Sequence, residues 1–168
     1  MQRYDSVSWM FDIKKKYGLL PETLALAIYL FDSCYSLISI KGVNIRIYRA
    51  ACMSVASKYE ETLPPSFRQL GVYIYEHDTM TNTELSVLQA NGYSVSNIRH
   101  PVWYINNMCI MMDVRYKNAI ELVLWAMADP SCHEYTYLDI ALEAWKITQK
   151  KYKNTFWPNL PMRETVSA

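Results

Sequence analysis

The sequence is short of glycine: 4 of its 168 residues. Gly18, Gly42, Gly71 and Gly92 fall between periodic segments or near their ends. That scarcity favours helices, and no Gly-rich phosphate loop is present. Cysteine is also sparse. Cys34, Cys52, Cys109 and Cys132 stand far apart, with no C-x-x-C pair. A disulfide framework and a zinc site are therefore not expected, and free thiols suit a reducing, intracellular setting. No excess of charge of either sign appears, because the net charge is +1. The longest basic runs, Lys14 to Lys16 and Lys150-Lys151 with Lys153, read as solvated helix ends, so no nucleic-acid partner is expected. The longest apolar run, Leu24 to Phe31, is far too short to cross a bilayer, and no signal peptide is seen, so no membrane partner is expected either.

Catalytic signatures are missing too. His77, His100 and His133 have no partner at a recognisable spacing. There is no G-x-S-x-G and no H-E-x-x-H. Glu60 and Glu61 are adjacent, and adjacent helix positions do not share a face, so they read as a solvated helix end. No enzyme, metal, cofactor or small-molecule ligand is expected.

What the chain does have is helical periodicity. Half its residues, 51%, are hydrophobic, and a chain of this length buries roughly 70% of its unfolded surface without staples. Apolar residues recur at i, i+3, i+4 and i+7, and no strand pattern competes, so the fold class is all-α. The spacing predicts helices over about residues 6–17, 21–36, 44–59, 65–76 and 82–91 in the first half. In the second half it predicts them over about 101–112, 116–128 and 135–152. The helix over 21–36 is apolar nearly all round. Asn44 is placed as an N-cap, Pro64-Pro65 as the start of the fourth helix, and Thr81-x-x-Glu84 as a capping box opening the fifth. The third helix carries Tyr48, Ala51, Cys52, Val55, Ala56 and Tyr59 on one stripe. Its small members let neighbours approach closely, which places it at the centre.

One stretch is more specific. Ala50-Ala51, then Ala56-Ser57-Lys58-Tyr59-Glu60-Glu61, then Pro64-Pro65 resembles the third helix of a cyclin box of the mitotic A/B type. GLLPETLALAIYLFDSCYS over 18–36 resembles the second helix, and VYIYEHDTMTNTELSVLQANGYSV over 72–95 the fourth and fifth. The resemblance implies a cyclin fold: a five-helix lobe over 3–95, a shorter, incomplete second helical lobe over 101–152, and a C-terminal tail over 153–168.

The implied function is a regulatory subunit, not an enzyme. It binds and activates a cyclin-dependent protein kinase as a heterodimer in cell-cycle control, in the nucleus or cytoplasm. Alternatives of other kinds are a cyclin-like protein that titrates a kinase without activating it, and a transcription-factor-type cyclin fold. The latter needs basic surface for phosphate contact. By resemblance, Lys58 and Glu84 carry polar contacts to the kinase backbone, with Val55, Tyr59, Leu88, Tyr93 and Val95 as the apolar kinase-facing positions. Arg3 and Asp32 align with an ion pair tying the first helix to the second. The family's apolar substrate-docking patch aligns with Gln2, Asp5, Ser6 and Trp9; its apolar positions have become Gln2, Asp5 and Ser6, which implies that the patch is degraded.

Overall fold

A computed structural model describes residues 2–41, 44–112 and 117–151. Among them the chain forms seven α-helices and no strand. They are α1 (Gln2–Tyr17), α2 (Pro21–Lys41), α3 (Ile45–Glu60), α4 (His77–Ala90), α5 (Pro101–Met112), α6 (Lys117–Ala128) and α7 (Tyr137–Lys151). The all-α expectation holds. The tail expected over 153–168 lies outside the described residues.

Local chemistry explains most boundaries. Pro21 opens α2, where its missing N–H costs nothing. Asn44 caps α3 by accepting from the Arg46 amide at 2.9 Å. α1 starts four residues before the periodic pattern does, at Gln2. Its first turn is polar, so periodicity misses it, and tertiary contacts of Arg3 hold it.

The segment 65–76 corrects an expectation. In place of a fourth α-helix, the chain makes a compact turn and then a 3-10 turn, Ile74–Glu76. Leu70 and Val72 amides bond to the Ser66 and Phe67 carbonyls at 3.1 and 2.9 Å. Gly71 then takes a φ of +76°, left-handed backbone that ends a helix after one turn. The buried Leu70 and Val72 anchor this segment to the core.

The expected capping box at Thr81 and Glu84 is also corrected. α4 begins earlier, at His77, so both residues lie inside it. The Thr81 hydroxyl donates to the His77 carbonyl at 3.0 Å. The capping box belongs instead to the 3-10 turn Ile74–Glu76 upstream, where the Glu76 carboxylate accepts from the Tyr73 amide at 2.8 Å.

α3 packs against α1, α2 and α4, and Ala50 through Ser57 are all buried. α2 packs on α1, α3 and α4, and also on α5 and α6, so it is the main element joining the two halves, with α1 touching α6 as well. Its run from Thr23 to Ile28 is buried without a break, as an all-round apolar helix requires. α5, α6 and α7 pack on one another behind it.

Candidate functional site

Lys58 lies in the last turn of α3, where the helix dipole favours a cation. Glu84 lies on α4, which packs along α3. The Lys58 ammonium donates to both Glu84 oxygens, at 2.6 and 2.8 Å. The pair is lopsided: the lysine side chain is 50% exposed and the carboxylate 11%. Solvent screens the cation, so the attraction itself stabilises the fold little. The buried carboxylate is the costly partner to strand, at about 1–3 kcal/mol. Lys58 Nζ also sits 5.0 Å from the centre of the Phe67 ring, which the turn after Pro65 delivers.

Val55, Tyr59, Leu88 and Val95 surround this pair and line a shallow depression of about 250 Å³ with it. Val55 is buried, Leu88 and Val95 are half-buried, and Tyr59 is 52% exposed. Six of the seven residues assigned by resemblance to a partner face therefore meet at one place. Tyr93 does not line the depression. It stands on the turn after α4, 61% exposed, with a φ of +56°. Gly92 before it is left-handed too, and the Tyr93 amide bonds to the Leu88 carbonyl at 2.8 Å. A bulky residue held in left-handed backbone is strained, and such strain persists only where the surroundings enforce it.

Arg3 and Asp32 meet in a bidentate pair, at 2.8 and 2.9 Å. The same guanidinium donates to the carbonyls of Met127 and Ala128, at 2.8 and 3.0 Å. Arg3 thus closes the C-terminal end of α6 as well as joining α1 to α2. That third contact spans 125 positions and leaves no local sequence signal.

Gln2, Asp5, Ser6 and Trp9 share one face of α1 at i, i+3, i+4 and i+7 but differ in exposure. Gln2 and Asp5 are exposed, whereas Ser6 is buried and its hydroxyl donates to the Gln2 carbonyl at 2.8 Å. Trp9 is half-buried, with the Arg49 guanidinium 4.7 Å from its ring centre. Burial holds the Arg49 pKa below its ordinary value; the nearby Arg46 charge adds to this and Asp5 opposes it.

Glu61, expected to be solvated, instead accepts from the Leu20 amide at 2.7 Å and from the Thr23 hydroxyl. It satisfies the start of α2, a role only the fold can assign. Burial, and then the charges of Glu22 and Glu61, push the Glu60 pKa up. A larger cavity of about 340 Å³ lies elsewhere, bounded by Met127, Cys132, Tyr137 and Ile140, with Asp32 in its lining. Among the described residues no cluster of ligating side chains could hold a metal ion, and no helix is long and apolar enough to cross a membrane.

Residues 1–96 match the family described as cyclin, N-terminal domain. The chain is 32% identical over 145 residues to Cyclin-D1-2 of Oryza sativa subsp. japonica, covering 82% of this chain and 41% of that protein. It is 36% identical over 104 residues to G2/mitotic-specific cyclin-1 of Saccharomyces cerevisiae, covering 61% and 21%. It is 36% identical over 75 residues to G2/mitotic-specific cyclin-A of Hydra viridissima, covering 45% and 17%. The chain spans less than half the length of these relatives. D-type as well as mitotic proteins appear among them, so the likeness is broader than the A/B pattern.

Proposed function

The chain belongs to the cyclin family, and from that premise we propose that it binds and activates a cyclin-dependent protein kinase in cell-cycle control. It acts as a regulatory subunit rather than an enzyme, inside the cell, in the nucleus or cytoplasm. Residues 3–95 make the lobe that meets the kinase, and 101–152 a shorter second lobe behind it.

The observation that carries this reading is the Lys58–Glu84 pair set in an apolar depression. An ammonium has three donors and a carboxylate about four acceptor sites, so the mutual contact leaves capacity on each. A docked kinase backbone offers carbonyls to the first and amides to the second. Closing the interface removes water, and each unused site then needs such a partner. Val55, Tyr59, Leu88 and Val95 supply apolar area for the same contact, and Tyr93 is exposed on the turn after α4. Activation requires that the face prefer the active kinase conformation; equal affinity for both conformations shifts nothing.

The test is a pull-down with a panel of cyclin-dependent kinases, followed by a phosphorylation assay on a histone-type substrate. Lys58→Ala or Glu84→Ala should weaken kinase binding by about 2–4 kcal/mol with helical content unchanged. Wild-type affinity in both variants would sink the interface. Binding without any gain in kinase activity would leave the interface and reject activation, which is the titrating alternative.

A further inference from the structure

The larger cavity, about 340 Å³, opens between α2, α6, the 3-10 turn Pro130–Glu134 and α7. Ala126 and Met127 of α6, Cys132 of the turn and Ile140 of α7 give it apolar walls. Tyr135 also lines it while standing 62% exposed, so the space reaches solvent. Pockets that hold small molecules begin at about 300 Å³. An apolar cavity of about 150 Å³ already holds benzene, so this one has room for two fused rings. Kinase binding through Lys58 and Glu84 makes no use of it.

The polar groups of the lining differ in what they still offer. Asp32 is the charged side chain among them, and Arg3 holds both its oxygens, at 2.8 and 2.9 Å. The Thr136 hydroxyl donates to Asp139 at 2.6 Å. Tyr137 is different. Its ring is half-buried and tilts against Tyr29 at 5.8 Å, yet its hydroxyl makes no hydrogen bond among the described residues. A tyrosine hydroxyl in such a place ordinarily finds a partner. Burial, and then the Asp32 charge, push the Tyr137 pKa up to about 12, so at neutral pH the group is a donor.

We propose that this cavity is a binding site for a small, neutral aromatic molecule of two fused rings that carries a hydrogen-bond acceptor. The rings lie against Met127, Ile140 and Cys132, whose two sulfurs are polarisable and suit an aromatic edge. The acceptor takes the Tyr137 O–H. A charged ligand gains little, because Arg3 and Asp32 already neutralise each other and burying a further charge is costly. A ligand there joins α7 to α2 and α6, and one that binds only the folded chain raises its stability by mass action. None of the lining residues belongs to the Lys58 depression, so the two readings stand or fall separately.

The probe is quinoline, uncharged at neutral pH, with naphthalene as the same shape without the acceptor and N-methylquinolinium as the charged counterpart. Binding to the full chain is read from the thermal midpoint and from protection of Cys132 against iodoacetamide, located by peptide mass spectrometry. Quinoline should saturate with a Kd of about 1 mM or tighter, within what about ten heavy atoms can supply. Naphthalene should bind at least about threefold more weakly, the share of one hydrogen bond, and N-methylquinolinium more weakly than quinoline. Tyr137→Phe should bring quinoline down to the naphthalene level and leave naphthalene unchanged. Ala126→Leu fills the space and should abolish protection of Cys132 by either. Circular dichroism checks folding; if Ala126→Leu does not fold, Tyr137→Phe, which removes only an unbonded oxygen, still decides. No saturable binding of quinoline, or binding without protection of Cys132, overturns the proposal. So does a preference for quinoline that survives Tyr137→Phe, or tighter binding of N-methylquinolinium.

Discussion

At the scale of single residues, burial decides chemistry that the sequence leaves open. His100 is 3% exposed, and its Nδ1 accepts from the Trp103 amide at 3.2 Å, closing the first turn of α5. A charged imidazole has no place there, so burial pushes its pKa down from 6.5 to about 4. The unfolded chain therefore binds the extra proton first, as pH falls through 6.5. Stability contributed by neutral His100 is present above that value and drains away as pH drops toward 4, by about 1.4 kcal/mol per unit at most. Urea midpoints measured from pH 7 to 4.5 should fall, and His100→Gln should flatten the slope; equal slopes would remove His100 as the cause. Ala56 is a second such residue, fully buried on α3. Ala56→Leu has no room for three more carbons and should cost about 1–3 kcal/mol by overpacking. A wild-type denaturation midpoint would contradict that packing.

At the scale of elements, α1 shows how a helix with a weak apolar pattern is held. Its buried side chains are few, Val7, Met10 and Ile13 with Ser6, and Arg3 does the fastening at its start. One guanidinium satisfies Asp32 of α2 and the last carbonyls of α6. Arg3→Ala removes both guanidinium bonds to the largely buried Asp32 carboxylate and opens the α6 terminus, so a loss of about 2–4 kcal/mol is expected. Hydrogen exchange should then speed up in α1 and at the end of α6 together. Exchange confined to α1 would show that the carbonyl contacts carry no weight. α4 makes the complementary point. The capping box lies upstream, on Tyr73 and Glu76 of the 3-10 turn that leads into it, and Thr81 and Glu84 repeat its spacing eight residues later, inside the helix.

At the scale of the whole molecule, α2 binds the two halves, and α3 carries the opposed features of the surface: the Lys58 depression at its end and the arginine face near its start. An Arg-x-Leu peptide of the kind other cyclins dock should therefore fail on this chain. Asp5 is exposed, Ser6 is turned inward, and Trp9 lies beneath Arg49, so the peptide leucine forfeits about 1.5–3 kcal/mol of burial. Micromolar binding of that peptide, abolished by Trp9→Ala, would show a working groove. Sequence alone determined the helical class, the span of α5, the Asn44 cap and the central place of α3, because period, capping chemistry and small-residue stripes are local signals. It also marked Lys58 and Glu84, but through resemblance, since neither residue's neighbours reveal a partner 26 positions away. Only the tertiary structure decided that these two charges pair, that Arg3 reaches α6, that Glu61 caps α2 and that Arg49 covers Trp9. Each is a contact between distant positions, and its energy comes from desolvation and geometry that exist only after the helices have packed.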